Sequence, residues 1–143
     1  MSESVSVERA RQAVQALYDG DRASRMLGIR IEEVQPGHVR ASMEVRPDMT
    51  NGHGICHGGL IFALADSTFA FACNTEGVPT VAAAASIDFL APVRAGDVLT
   101  AVATELWRSR RAGLFEVTVT NQEGTRVALF RGRSHRIGEA PAS

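Results

Sequence analysis

Apolar residues along 5–18 fall at Val7, Ala10, Val14 and Leu17, the spacing of one helix face, and Gly20 closes the stretch. Asp21 is placed to cap a second short helix ending near Leu27-Gly28. The period then changes. Residues 29–35 turn β-like, Pro36-Gly37 makes a turn, and His38 to Arg46 alternates, with Val39, Ala41, Met43 and Val45 on one side and polar residues on the other. That is a strand with one wet face. Pro47-Asp48 ends it, and a Gly-rich loop over 50–59 follows. From about His57 to Thr75 almost no polar face remains, which predicts a buried helix. Strands are predicted at about 80–90, 97–108, 113–121 and 126–136, separated by turn-forming clusters such as Asn121-Gln122-Glu123-Gly124. Val81 to Ala85 is apolar on both faces, so that strand is expected in the middle of the sheet. The segment after Ile137 is expected to fray.

Short connections favour an antiparallel meander. The expected architecture is α+β: one sheet of five to six strands wrapped around one long helix. The sheet's outer face would need covering by partners or by the N-terminal helical segment, residues 1–28. No linker or repeat divides the 143 residues, so one domain over 1–143 is expected.

Composition narrows the function classes. A formal net charge of −1 supplies no basic field for nucleic acid or membrane. The apolar run Leu60 to Ala65 is too short for a bilayer, and Met1 to Ser4 does not open like a signal peptide. Two cysteines make no disulfide framework, so a reducing, cytoplasmic setting is the default expectation. All 15 basic residues counted with Lys are Arg. Schiff-base chemistry, a Walker lysine and a Ser–Lys dyad are thereby excluded.

The chemistry concentrates in Asn51-Gly52-His53-Gly54-Ile55-Cys56-His57-Gly58-Gly59, followed by Leu60 to Ala65 and then Asp66. Two glycines opening a helix expose backbone N–H groups at the positive end of its dipole. Such donors suit a developing oxyanion. Asp66, in an otherwise apolar helix, is costly there unless paired or working; a carboxylate serves as nucleophile or as general base for water. Acyl transfer or hydrolysis follows. Gly58 and Asp66 are about 12 Å apart along one helix axis at 1.5 Å per residue. If both act on one carbonyl they must come from different copies, as an antiparallel helix pair in a homodimer would allow.

The segment Asn51 to Gly59 with Leu64-Ala65-Asp66, together with Asp88-Phe89-Leu90-Ala91-Pro92 and Gly96-Asp97, resembles the phenylacetate-degradation thioesterases of the hot-dog superfamily over most of residues 25–136. The resemblance implies acyl-CoA substrates with aryl-acetyl groups such as ring-hydroxylated phenylacetyl. It also implies a tetramer of two dimers and no cofactor. By the same resemblance Asp66 is nucleophile or general base, and the Gly58 N–H polarises the thioester carbonyl. Asn51, from across the interface, positions water or the carboxylate, and His57 helps hold the thioester end and the loop. Ala70 stands where some related enzymes carry a hydroxyl, which leaves more of the water's placement to Asn51.

Other readings compete. His53, Cys56, His57 and Cys73 lack zinc spacing, and no metal is expected. Cys56 beside His57 is a poor dyad, because neighbours at a helix start point apart. Arg108, Arg110 and Arg111 are open to two roles, coenzyme A phosphate ligands or a solvated rim; Arg131 and Arg133 share that ambiguity. Trp107 and Phe89 are expected to pack in the core rather than line an acyl pocket. A hot-dog enoyl-CoA hydratase would need an Asp–His pair in a motif not found here. A non-catalytic acyl-CoA-binding protein is the third alternative.

Overall fold

The computed structural model describes residues 6–139. Helix α1 spans Val7–Asp19 and is capped by Ser6, whose side chain accepts from the Arg9 N–H. Asp21 caps α2, Arg22–Met26, as its position predicts. Strands β1 (Arg30–Gln35) and β2 (His38–Glu44) form a hairpin, and a 3-10 turn at Pro47–Met49 leads to the Gly-rich loop. Helix α3 runs Gly58–Cys73. Then come β3 (Thr80–Phe89), β4 (Val98–Arg108), β5 (Ala112–Thr120) and β6 (Arg126–Arg136).

All strand pairings are antiparallel, in the order β1-β2-β4-β5-β6-β3. The sheet curls around α3, which touches β2 to β6. Phe69 stacks edge-on against Phe115 at 5.5 Å and leans on Phe130 at 5.7 Å, while Phe62 meets Phe130 at 5.4 Å. Such a buried ring contributes about 2–3 kcal/mol of transfer free energy. Gly132 on β6 allows the close approach: a Cβ there would stand 2.8 Å from the Phe69 ring.

Three expectations need correcting. The strands β4, β5 and β6 form a meander, but β3 does not join it next to β4. It pairs with β6 at the far edge. The segment after β3 is not a hairpin turn. It crosses the end of the sheet, where Val93 accepts from the Cys56 N–H at 2.7 Å and Asp97 accepts from the Val45 N–H at 2.8 Å. Consequently β3 is an edge strand, not a central one, and Val81 to Ser86 are exposed in the single chain. A strand apolar on both faces yet exposed is one that another chain can cover.

Secondly, α3 is not buried all round. Ile61, Leu64, Ala65, Thr68, Phe69, Phe71 and Ala72 are buried. Ala63, Asp66 and Ala70, spaced on one face, are only half-buried. Thirdly, α1 contacts β1 and α3, so it extends the helical layer instead of covering the sheet's outer face. Tyr18 of α1 fixes that position by donating to the Ile29 carbonyl at 2.7 Å. The fraying expected after Ile137 falls partly outside the described residues; Ile137 itself is tied by its N–H to the Pro79 carbonyl at 2.9 Å.

Candidate active site

The loop before α3 is a built structure. Thr50 and Cys56 form an isolated antiparallel bridge, and the Asn51 N–H donates to the Ile55 carbonyl at 2.8 Å. The Asn51 side-chain Oδ1 accepts from the His53 N–H at 2.9 Å and the Ile55 N–H at 3.4 Å. This fixes the amide's orientation, so its remaining capacity is the Nδ2 donor. His57 anchors the loop's end by donating its N–H to the Met49 carbonyl at 2.8 Å.

His57 is also the N-cap of α3. Its Nδ1 accepts from the Gly59 N–H at 3.1 Å. Its carbonyl accepts from Leu60 at 2.9 Å and Ile61 at 3.4 Å. Among the described residues, the Gly58 N–H is the one donor of this first turn without a partner. It is the donor that the sequence singles out. Phe89 lies against it: a Cβ on Gly58 would meet Phe89 Cζ at 3.0 Å.

Two turns along α3, Asp66 makes no hydrogen bond or ion pair with any described residue. Burial pushes its carboxyl above the ordinary carboxylate range. The helix is continuous from Gly58 to Cys73, so the two groups stay about 12 Å apart within one chain.

Burial disfavours the thiolate form of both cysteines. Cys56 is buried, donates to the His57 carbonyl at 3.6 Å, and its thiol is pushed up by burial and then by Asp97. Cys73 is pushed up to about 12 by burial, with the Asp66 charge adding to the shift. Among the described residues no three His, Cys, Asp or Glu side chains gather as a metal set.

The arginines divide. Arg108 is ion-paired with Glu76, which also accepts from Arg136 at 2.6 Å, so its guanidinium is already engaged. Arg131 pairs with Glu116 at 3.2 Å. Arg110, Arg111 and Arg133 are exposed, with no ion pair among the described residues. Glu76 follows the last turn of α3, so Arg108 lies at the opposite end of that helix from Gly58. Phe89 and Trp107 are each 52% exposed, contrary to the expected core packing. Trp107 follows a register shift in β4; Phe89 ends β3 on the helix start. The contact between Phe89 and Gly58 was not visible in sequence, because it depends on which edge β3 takes.

The family model of the thioesterase superfamily matches residues 53–128, from the Gly-rich loop before α3 to the first residues of β6. The chain belongs to the thioesterase superfamily. Its sheet wrapped around α3 is the superfamily's hot-dog fold, and it is a thioester hydrolase. The chain is 45% identical over 130 residues to the Escherichia coli acyl-coenzyme A thioesterase PaaI, covering 91% of this chain and 93% of that one. Human acyl-coenzyme A thioesterase 13 is 30% identical over 129 residues, 87% of this chain and 92% of that one. Among solved structures, the E. coli PaaI protein from the phenylacetic acid degradation operon superposes with a TM-score of 0.93 at 43% identity, covering 95% and 99% of the two chains. A hypothetical thioesterase protein from Streptococcus pneumoniae, solved with coenzyme A, superposes with a TM-score of 0.76 at 28% identity, covering 79% of this chain and 88% of that one. No helix among the described residues is long and apolar enough to cross a membrane.

Proposed function

We propose that this thioesterase hydrolyses aryl-acetyl-CoA thioesters such as (hydroxy)phenylacetyl-CoA, at sites shared between two copies of the chain in the cytoplasm. The observation that carries the reading is a Gly58 N–H and an Asp66 carboxylate on one continuous helix, each without a partner among the described residues. Each lacks what the other's chemistry needs, and the helix holds them too far apart to serve one carbonyl. A second copy with α3 antiparallel brings Gly58 of one beside Asp66 of the other. The Ala63–Asp66–Ala70 face offers small neighbours for that approach, and the exposed β3 edge offers backbone to pair. The relatives named as acyl-coenzyme A thioesterases and the coenzyme A-bound structure support the thioester class. The aryl-acetyl group and the tetramer rest on the PaaI resemblance.

In this mechanism the Gly58 N–H, at the positive end of α3, donates to the thioester oxygen as negative charge builds on it. Asp66 of the other copy either attacks the carbonyl carbon or takes a proton from an attacking water. In the first route the C–S bond breaks to leave a mixed anhydride, which water hydrolyses to free the acid and Asp66, and the departing thiolate takes a proton from solvent. In the second, water's oxygen joins the acyl carbon, the C–S bond breaks, and the proton held by Asp66 goes to the thiolate. Asn51 Nδ2, its amide held by the loop, donates to the water or the carboxylate. Arg110 and Arg111, exposed and without an ion pair among the described residues, are the cations we assign to coenzyme A phosphates; Arg108 serves instead as a structural ion pair.

Two experiments test this reading. Across aryl, straight-chain and branched acyl-CoAs, free-thiol release should be fastest with aryl-acetyl groups. A preference for straight chains would move the substrate class, and hydration of a crotonyl thioester without thiol release would replace hydrolysis by hydratase chemistry. Ala84→Glu places an exposed charge opposite Arg133 in the β3–β6 register, so the single chain should fold. It also sets like charges near where two β3 edges would meet. Sedimentation should show smaller assemblies, with thiol release falling in step. Full activity from a demonstrated monomer would end the shared-site proposal.

A further inference from the structure

The His57 ring folds back over the start of α3 and offers it one acceptor atom. Nδ1 accepts from the Gly59 N–H at 3.1 Å, so Nδ1 is the unprotonated nitrogen and Nε2 carries the proton in the neutral ring. The capped bond takes Gly59 out of competition and leaves Gly58 as the free donor. Both residues after the cap are glycines, with backbone freedom that only the cap and the following hydrogen bonds restrain.

The geometry points to His57 as a proton-sensitive positioning residue: its neutral imidazole, by capping Gly59, holds the Gly58 N–H where the thioester carbonyl binds, and protonation releases it. A proton on Nδ1 sets N–H against N–H and adds a positive charge to the positive end of α3. The ring must turn away, Gly59 loses its acceptor, and the Gly58-Gly59 backbone loosens. This rests on the proposed role of the Gly58 N–H, and it changes His57 from a group that holds substrate to one that acts through the backbone.

The charged and titratable groups on the neighbouring elements are Cys56, Asp97, Asp48, Asp88, His53 and Arg94, the last exposed and without an ion pair among the described residues. Cys56 is a neutral buried thiol. Asp97 is held by the Arg94 N–H at 2.9 Å and Gln122 at 2.9 Å. Asp48 pairs with Arg46 at 3.0 Å. On β3, Asp88 stands opposite Leu129, alternate to Ile87 and Phe89, which share the helix side. His53 is exposed on the loop, its N–H tied to Asn51. In the proposed pairing, Asp66 of the second copy is the one carboxylate brought to this helix start.

The test is a pH titration of the assembled protein with ¹⁵N-labelled His and Gly. At neutral pH, Nδ1 should give the signal of an unprotonated nitrogen, and the Gly59 amide should shift with the same midpoint as the His57 ring. His57→Asn keeps a side-chain acceptor that does not titrate, so its Gly59 amide should stay flat through that window. In the acid limb of kcat/KM, the parent should lose activity by two protonations, Asp66 and His57, and His57→Asn by one. His57→Ala should lower kcat about tenfold at neutral pH, and His57→Asn should recover most of that loss. A proton on Nδ1 at neutral pH, or a Gly59 amide indifferent to His57 titration, would overturn the inference. So would an unchanged acid limb in His57→Asn. The spectra do not depend on turnover: absence of thiol release from every acyl-CoA would end the proposed function while the amide titration still decides the cap.

Discussion

Asp66→Asn and Asp66→Ala proteins should fold, assemble and lose thioester hydrolysis, kcat/KM falling by about a hundred- to ten-thousand-fold. The carboxylate has no structural partner to lose among the described residues, so the loss should fall on chemistry alone. Stability should move the other way. Burial raises the Asp66 pKa above its ordinary 3.8, so the fold favours the protonated form. That contribution is present in full below the ordinary value and is lost as pH rises through the raised one. At neutral pH the ionised side chain opposes folding, and Asp66→Asn should melt higher than the parent. Its unfolding should also lose part of its dependence on pH in the acid range. A variant that melts lower, or keeps full turnover, would show a structural carboxylate. In the parent, the ionised form is the working one, so kcat/KM should climb with pH through the raised Asp66 value.

The second large effect is expected at Gly58→Ala. The added methyl would sit 3.0 Å from Phe89 Cζ and 3.4 Å from its two Cε atoms, with the helix start tied on its other side by His57 and Met49. Either the Phe89 ring or the Gly58 N–H must shift. Loss of one well-placed oxyanion donor costs about 10²- to 10³-fold in kcat, and that is the expected fall. Helix propensity favours Ala over Gly by about 1 kcal/mol, so the melting temperature should change little. Adding Phe89→Leu should relieve the contact and restore at least part of kcat. If the double variant is as slow as Gly58→Ala alone, the methyl obstructs the substrate directly and the ring is a bystander.

Much of this was legible in the sequence. The helix cap at Asp21, the glycines opening α3, the alternation of Val39, Ala41, Met43 and Val45, and the turn at Asn121 to Gly124 are local signals, and local physics decided them. The separation of Gly58 and Asp66 was legible because both sit on one helix whose rise fixes it. The place of β3 was not. A strand apolar on both faces reads the same whether its own sheet or another chain covers it, and its pairing with β6 is a long-range choice. Everything downstream of that choice was hidden too: Phe89 over Gly58, and the crossing segment that ties Val93 to Cys56. The arginines show the same limit. Arg108 and Arg110 look equivalent until Glu76, far along the chain, claims one of them.

The exposed edge of β3 is built mostly from alanine. An edge of large branched residues would attach to almost any unpaired strand in a crowded cell. Methyl groups give a stray sequence little area to gain and poor β-propensity to exploit. In the proposed pairing, what remains attractive is backbone pairing of β3 together with the small-residue Ala63–Asp66–Ala70 face of α3. A newly made chain would then meet its own kind with a weakly adhesive rim, and recognition would come from fit on two elements at once.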